Sequence, residues 1–431
     1  MGQIQRHGGL EANKGTLIER EEYFCTDSKK KLIGNSNGID TELVNQNDPK
    51  LTDQRTPLDG SVTYLKFISS LKAWQYANGY EADAELISRH RWLPNNYSIL
   101  DAHNNYHQMV EINRKNWDST NEFAAATIHD AFMVGGVQKQ LFISKGPAVD
   151  DGLGNPVTWL DRIPMVNKTF DQELAACAAL NNGTTITGFH QMTLPEWALM
   201  MQIIKNSGVI VRGNNNWGQD VNDKSITFHL NVPAAFSDHV SDGKHYTGSG
   251  GTKTSHDNLL DGIYDLTGGV WQRIAGCQIV NGEIQIINQN DAANSSLDQT
   301  DASVYWKAIL EDGTLVAPGT VNTLKFSVNG NITKAAPAAI SSSKAFDAIG
   351  CEADVLTTST GITLLKKIGL YPYTTSMGGW FWFNTSGAFV PLRGAGWNGS
   401  AYAAVPALNC SSTRAYASWN IGFRAAFVRS L

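Results

Sequence analysis

Beyond Gly208 the chain is rich in Gly, Asn and Ser, and its apolar residues come only in brief runs: GVIVRG, DGIYDLTGG, CQIVNGEIQII, TLKFSVNG, GWFWFN and NIGFRAAF. Runs this short, set between turn-forming residues, suit strands of a few residues joined by long loops and leave little room for extended helices. Two helices are expected just upstream. FDQELAACAALN (170–181) has Asp171 near its start, and LPEWALMMQIIKNSG has Pro195 early, Lys205 in its last turn and Gly208 at its end. Two helices followed by many short strands make an α+β plan.

At 431 residues the chain has room for two or three units. Residues 1–60 are polar and turn-rich, and EEYFCTDSKKKLIGN reads as two short strands around a Thr-Asp-Ser turn. A segment this small buries little core alone, so it is expected to pack on the rest of the chain or to oligomerise. Residues 61–124 read as a connecting or accessory region, helical in places (LKFISSLKAWQYANGYEADAELISRHRW, ILDAHNNYHQMVEINRKNW), and 125–431 as the main domain. On such a helix His103, His107 and Glu111 would share one face at metal-binding spacing. The Glu that follows the first His in zinc proteases is missing, so a solvated helix face is preferred and no metal is assigned.

Charged residues make up 17% of the chain, the formal net charge is −6 and the pI is about 5.9. Lys and Arg are scattered, apart from Lys29 to Lys31, so there is no basic footprint for nucleic acid. The opening MGQIQRHGGLEANKG has no apolar core, and no run approaches the ~20 apolar residues that span a bilayer. The expectation is synthesis in the cytoplasm without membrane insertion. Cys25, Cys177, Cys277, Cys351 and Cys410 are odd in number and widely spaced, which favours buried free thiols. A bridge between Cys351 and Cys410 stays open.

No Asp or Glu follows Asp354, and no His follows His256. Acid–base catalysis near neutral pH draws on those groups, so chemistry centred on the C-terminal region is disfavoured. Cys410 near Arg414 has the pattern of an activated thiol, but with no His close in sequence the inert reading is preferred. GSGGT at 248–252 is too loose for a phosphate loop. MGGWFWFNTSG and RGAGWNGSAYAAVPALNCSSTRAYASWN instead combine Gly, Ser, Ala and Asn with Tyr and Trp, the composition of adaptable protein-binding loops. Tyr402 and Tyr416 stand among small polar residues as loop anchors do; Trp380, Trp382, Trp397 and Trp419 suit the core of a β-domain.

Four stretches carry a family resemblance. GFHQMTLPEWALMM (188–201) resembles the "(L/M)-T-x-x-E-W" helix entry of the C-type-lectin fold shared by formylglycine-generating enzymes and the variable proteins of diversity-generating retroelements. DGIYDLTGGVWQ (261–272) is similar to their "G-(L/I)-Y-D-(L/M)-x-G-N-V-W-E" stretch, RGAGW (393–397) to "R-G-G-x-W", and WNIGFRAAF (419–427) to the terminal "N-x-G-F-R". VGGVQKQLFISKGPAV and VNKTFDQELAACAALN extend the likeness to the variable-protein branch over 125–431. The resemblance implies a C-type-lectin-like C-terminal domain. EEYFCTDSKKKLIGNSNG (21–38) resembles the start of phage tail-fibre proteins, departing at Glu21, Asn35 and Asn37, which implies a small β-rich tail-fibre-like domain ahead of it.

The enzyme branch uses two cysteines near the C-terminus, and only Cys410 lies in that segment here. The variable branch ends in a segment whose asparagine positions are diversified. The same frame survives between 380 and 424, with Tyr402, Ser411, Ser412, Tyr416 and Ser418 at such positions, and Gly396 and Asn398 fit it too. The resemblance implies that these are ligand contacts, that Ala395, Ala401 and Ala415 are further candidates, and that Trp397, Trp419 and Gly422 to Arg424 are scaffold. Taken with the N-terminal likeness, it implies a relative of phage tropism determinants. Such a protein is a homotrimeric receptor-binding component of the virion tail that meets a host surface protein or glycan and other tail proteins, catalyses nothing and requires no cofactor. Calcium occurs in some relatives, but Gly269 and Gln272 stand where the motif has Asn and Glu, so metal stays open. The competing readings are a formylglycine-generating-type oxidase that modifies sulfatases, with Cys410 reactive, and a variable adhesin displayed on a bacterial surface.

Overall fold

The computed structural model describes residues 95–116, 127–232 and 242–431 together with strand backbones within residues 1–94. The chain divides into two units, Met1–Pro94 and Asn95–Leu431. In the first, β1 (Ile4–Arg6), β2 (Glu22–Cys25), β3 (Lys30–Gly34) and β4 (Asp40–Asn45) form an antiparallel sheet in sequence order. β2 and β3 are the two expected short strands and pair antiparallel, with Tyr23 opposite Leu32; the expected Thr-Asp-Ser turn lies outside the described residues. Apart from a short strand at Ile87–Arg89, the helical reading of 65–92 lies outside the described residues, as does Trp117 at the end of the second helical string.

The second unit begins well before residue 125, where the main domain was expected to start. Residues 99–112 form a hairpin, not a helix: β5 (Asn96–Leu100) pairs antiparallel with β6 (Tyr106–Ile112). The Asp101 carboxylate makes the turn, accepting from the His103 and Asn105 backbone N–H groups, and Asn104 supplies a left-handed residue at φ +63°. His107 therefore lies on a strand, buried against Asp101 at 3.0 Å, and His103, His107 and Glu111 share no helix face. Among the described residues no three metal-ligating side chains cluster.

β5 and β6 continue a sheet through β7 (Val137–Ser144), the strand Ala425–Ser430 and the strand Phe189–Gln191. Ala425–Ser430 lies between the other two, and Phe427 meets Phe142 and Phe189 at ring-centroid distances of 5.9 and 4.9 Å.

α1 (Phe170–Ala178) and α2 (Leu194–Ser207) fall where the sequence places them. Thr169 and Gln172 close a capping box on α1. On α2, Glu196 accepts from the Thr193 N–H, and Gly208 ends the helix at φ +71°. Most of α2 is buried, and Trp197 sits at the centre of the main core.

α3 (Thr360–Lys367) was not expected, because Gly361 and a run of β-branched residues argue against a helix there. Ser359 caps it, and the α3 face with Ile362 and Leu365 joins the core. Tertiary burial overrides local propensity at that site.

Conversely, 208–213 forms no strand. Ile210 is exposed, and the amides of Arg212 and Gly213 bond to Lys253 O and Asp220 Oδ2 in place of a ladder. The expected strand at 261–272 is confined to Trp271–Arg273. CQIVNGEIQII does form a hairpin, with Asn281 and Gly282 both at positive φ in its two-residue turn.

Three α-helices among the described residues, with many short strands and long loops, agree with the α+β expectation. No helix among those residues is long and apolar enough to cross a membrane.

Candidate ligand-binding surface

Residues 380–424 are carried by a sheet that runs Ser341–Ala345, Trp380–Asn384, Leu408–Cys410, Leu392–Arg393, Trp271–Arg273, Ile421–Phe423. Strand alternation sorts WFWFN into two faces: Phe381 and Phe383 enter the core, while Trp380 and Trp382 stay half-buried on the other side. The Ser400–Tyr402 turn lays Tyr402 onto that outer face. Its ring lies 4.5 Å from Trp380 and 6.3 Å from Trp382, and Trp382 meets Trp271 edge-on at 5.4 Å. Tyr402 remains 48% exposed at the crest of this aromatic row.

A second exposed stretch follows Cys410. Tyr416 and Trp419 are 52% and 46% exposed. Trp419 packs on buried Trp397 at 5.0 Å, and the Lys244 ammonium lies 5.7 and 5.5 Å from the two rings.

Of the residues singled out from the sequence, Asn398, Ala401, Tyr402, Ala415 and Tyr416 are exposed. Ser411 is half-buried, its hydroxyl donating to Asn409 Oδ1 at 2.6 Å. Ala395, Gly396, Ser412 and Ser418 are buried and offer a partner no side-chain surface. Ala395 is fully enclosed at φ +67°, and Ser418 turns its hydroxyl onto Asn420 Oδ1 at 2.7 Å.

Trp397 lies within the scaffold, whereas Trp419, expected there too, stands at the surface. The half-buried row Trp271, Trp380 and Trp382 was not among the expected contacts. The alternation within WFWFN was the signal for two of the three, since a strand cannot bury four consecutive aromatics on one face.

Beneath the surface lie three fully buried arginines. Arg424 donates to Gln272 Oε1, Ser144 O and Tyr264 O at 2.9, 2.8 and 2.7 Å; burial pushes its guanidinium down to about 9. Arg393 donates to Pro406 O and Gly369 O, and burial pushes it down to about 10. Arg273 pairs with buried Glu173 at 2.8 Å and donates to Tyr416 O at 2.6 Å. These side chains bind loop carbonyls and do not face solvent.

Cys410 is enclosed, and burial pushes its thiol up to about 12, far from a nucleophilic thiolate at neutral pH. Cys351 and Cys410 are both free, so they form no bridge. The residues at the calcium motif do not fit that ion. Gln272 is spent on Arg424 and on Asp265 O, and Gly269 sits where an added Cβ would lie 2.6 Å from the His245 ring.

No protein-family model matches the chain, and no curated protein matches it. Among solved structures, Treponema denticola variable protein 1 is similar at 12% identity and a TM-score of 0.26, covering 78% of this chain and 99% of that one. Agreement this loose does not establish a shared fold.

Proposed function

We propose that the chain is a receptor-binding protein of the variable, C-type-lectin-like kind, carried as a homotrimer on a phage tail and binding a host surface ligand through Tyr402, Tyr416 and their neighbours. The observation that carries the binding reading is the exposure of the aromatic rings of Tyr402, Tyr416 and Trp419, in a segment with no Asp, Glu or His. Rigid aromatics surrounded by small residues supply binding energy at small entropic cost. The burial of Cys410, which pushes its thiol up to about 12, weighs against the enzyme reading.

The lectin-like reading is supported by the way residues from the separate sequence motifs meet. Arg424 bonds to Gln272 and to the Tyr264 and Asp265 carbonyls, Met192 N donates to Arg424 O at 2.8 Å, and Gly268 N donates to Gly394 O at 2.8 Å. Assembly as a trimer would multiply weak sites into avidity.

The test is retention of candidate host cells by the immobilised full-length chain. Tyr402→Ala and Tyr416→Ala should each reduce retention while leaving the thermal midpoint in place. Unchanged retention in both variants would remove the site assignment. A near-copy of the segment encoding 380–431 beside a reverse-transcriptase gene would support the variable-protein assignment; a genome without one would overturn that part alone.

A further inference from the structure

The loop that carries Tyr416 runs alongside residues 166–173, and the bonds between them follow a pattern. Phe170 N donates to Arg414 O at 3.1 Å, Arg273 Nη2 to Tyr416 O at 2.6 Å, and Asn167 N to Ser418 O at 3.0 Å. Val166 and Gly422 close the far end as an antiparallel bridge. Each of the three hydrogen bonds takes a main-chain carbonyl of the loop, at alternate residues, and none uses the side chain of Ala415, Tyr416 or Ala417. All three of those side chains are exposed.

Two arginines lock the arrangement. Arg273 is fully buried; its Nη1 holds Glu173 Oε1 at 2.8 Å and Lys168 O at 3.1 Å while Nη2 holds the loop. Arg414 lies over the Phe170 ring at 4.8 Å, and its Nε donates to Asp171 Oδ1 at 2.9 Å. The exposed Arg414–Asp171 pair is worth little by itself. The inner pair is different in kind, because withdrawing Glu173 leaves the buried Arg273 guanidinium without its carboxyl partner.

We propose that residues 166–173 at the start of α1 are a brace that sets the shape of the 414–418 loop, with Arg273, Glu173 and Asp171 as positioning residues. The brace grips the backbone, so the loop keeps one conformation whatever stands at 415, 416 and 417, and the ordering cost is met before a partner arrives. The functional meaning of this rests on the reading of Tyr416 as a ligand contact, but the brace itself can be tested with no ligand present.

The experiment is hydrogen–deuterium exchange on the full-length chain, read in peptides covering 413–419 and, as an internal control, 398–404. Arg273→Lys keeps a cation but not the forked donor, and it should speed exchange in 413–419 by about tenfold or more while leaving 398–404 unchanged. Asp171→Asn should produce a smaller rise at the same place, and Asp171→Glu should restore the wild-type rate. Ala415→Ser and Tyr416→Ala should leave exchange within about twofold of wild type.

Wild-type exchange in both Arg273→Lys and Asp171→Asn overturns the brace. A large rise in Tyr416→Ala overturns the claim that the loop shape is independent of its side chains. Should Arg273→Lys fail to fold, surface-exposed Asp171 still decides the first point. The exchange pattern without any loss of cell retention in Tyr416→Ala would keep the brace and remove Tyr416 from the binding site.

Discussion

Trp382 and Tyr402 meet at right angles, ring centroids 6.3 Å apart, on the outer face of the strand Trp380–Asn384. Tyr402 also leans on Trp380, so its ring shields two indoles that would otherwise face water. Tyr402→Ala should therefore red-shift the intrinsic tryptophan emission while moving the thermal midpoint by no more than about 2 °C, as for an exposed side chain. An unshifted spectrum would mean that the two indoles do not depend on this ring for cover.

Cys410 and Cys277 are both fully buried, and burial pushes both thiols well up from their ordinary value. Iodoacetamide at pH 8 should leave both unmodified in the native protein and label both after unfolding in guanidinium, as read by peptide mass spectrometry. Rapid native labelling of Cys410 would reopen the oxidase reading.

His129 gives stability a pH dependence. It is fully buried, its Nδ1 accepts from the Ala131 N–H, and burial followed by the charge of Lys367 pushes its pKa down to about 3 from 6.5. The unfolded chain then takes up the proton that the folded chain refuses. The stabilisation is complete above about pH 6.5 and is lost as pH falls toward 3, reaching a deficit of roughly 2–3 kcal/mol near pH 4.5. Glu173, pushed up to about 8 by burial, has the opposite slope, so the measurement is a comparison. Urea melts of the wild type and His129→Asn, which keeps an acceptor for the cap, should show a shallower acid loss in the variant.

Placing at position 269 the asparagine of the motif that 261–272 resembles should fail. Gly269 lies at φ +71° and its N–H donates to Asn214 O at 2.6 Å, while an added Cβ would come within 2.6 Å of the His245 ring. Gly269→Asn should cost on the order of 1–3 kcal/mol, and millimolar calcium should not recover it. A calcium-dependent rise in the melting temperature of the variant would show that the site can be rebuilt.

What the sequence made legible was punctuation and period. Pro195 and Gly208 bounded α2, and the brief apolar runs CQIVNGEIQII and GWFWFN fell on strands. Short-range chemistry misled where a side chain replaced a backbone partner. Asp101 turns a helix-like string into a hairpin, and the Asp220 carboxylate takes the Gly213 amide in a stretch, 208–213, that reads as a strand.

α3 was invisible because its stabilisation comes from Ile362 and Leu365 meeting the core, a long-range fact. Within the surface, the sequence identified the exposed Tyr402 and Tyr416 but could not separate them from buried Ala395, Ser412 and Ser418, since small residues read alike on either side of a loop. Trp419 went the other way because its support, Trp397 and Lys244, arrives from distant segments.

The strand Ala425–Ser430 lies downstream of every exposed loop and yet occupies an interior place in its sheet, between Phe189–Gln191 and Val137–Ser144. A reading-frame slip or stop codon anywhere in the loops would delete that strand and leave two raw sheet edges and an open core. Closure of the sheet and core therefore depends on an intact reading frame through 380–424, because the strand that fills the gap is made after it.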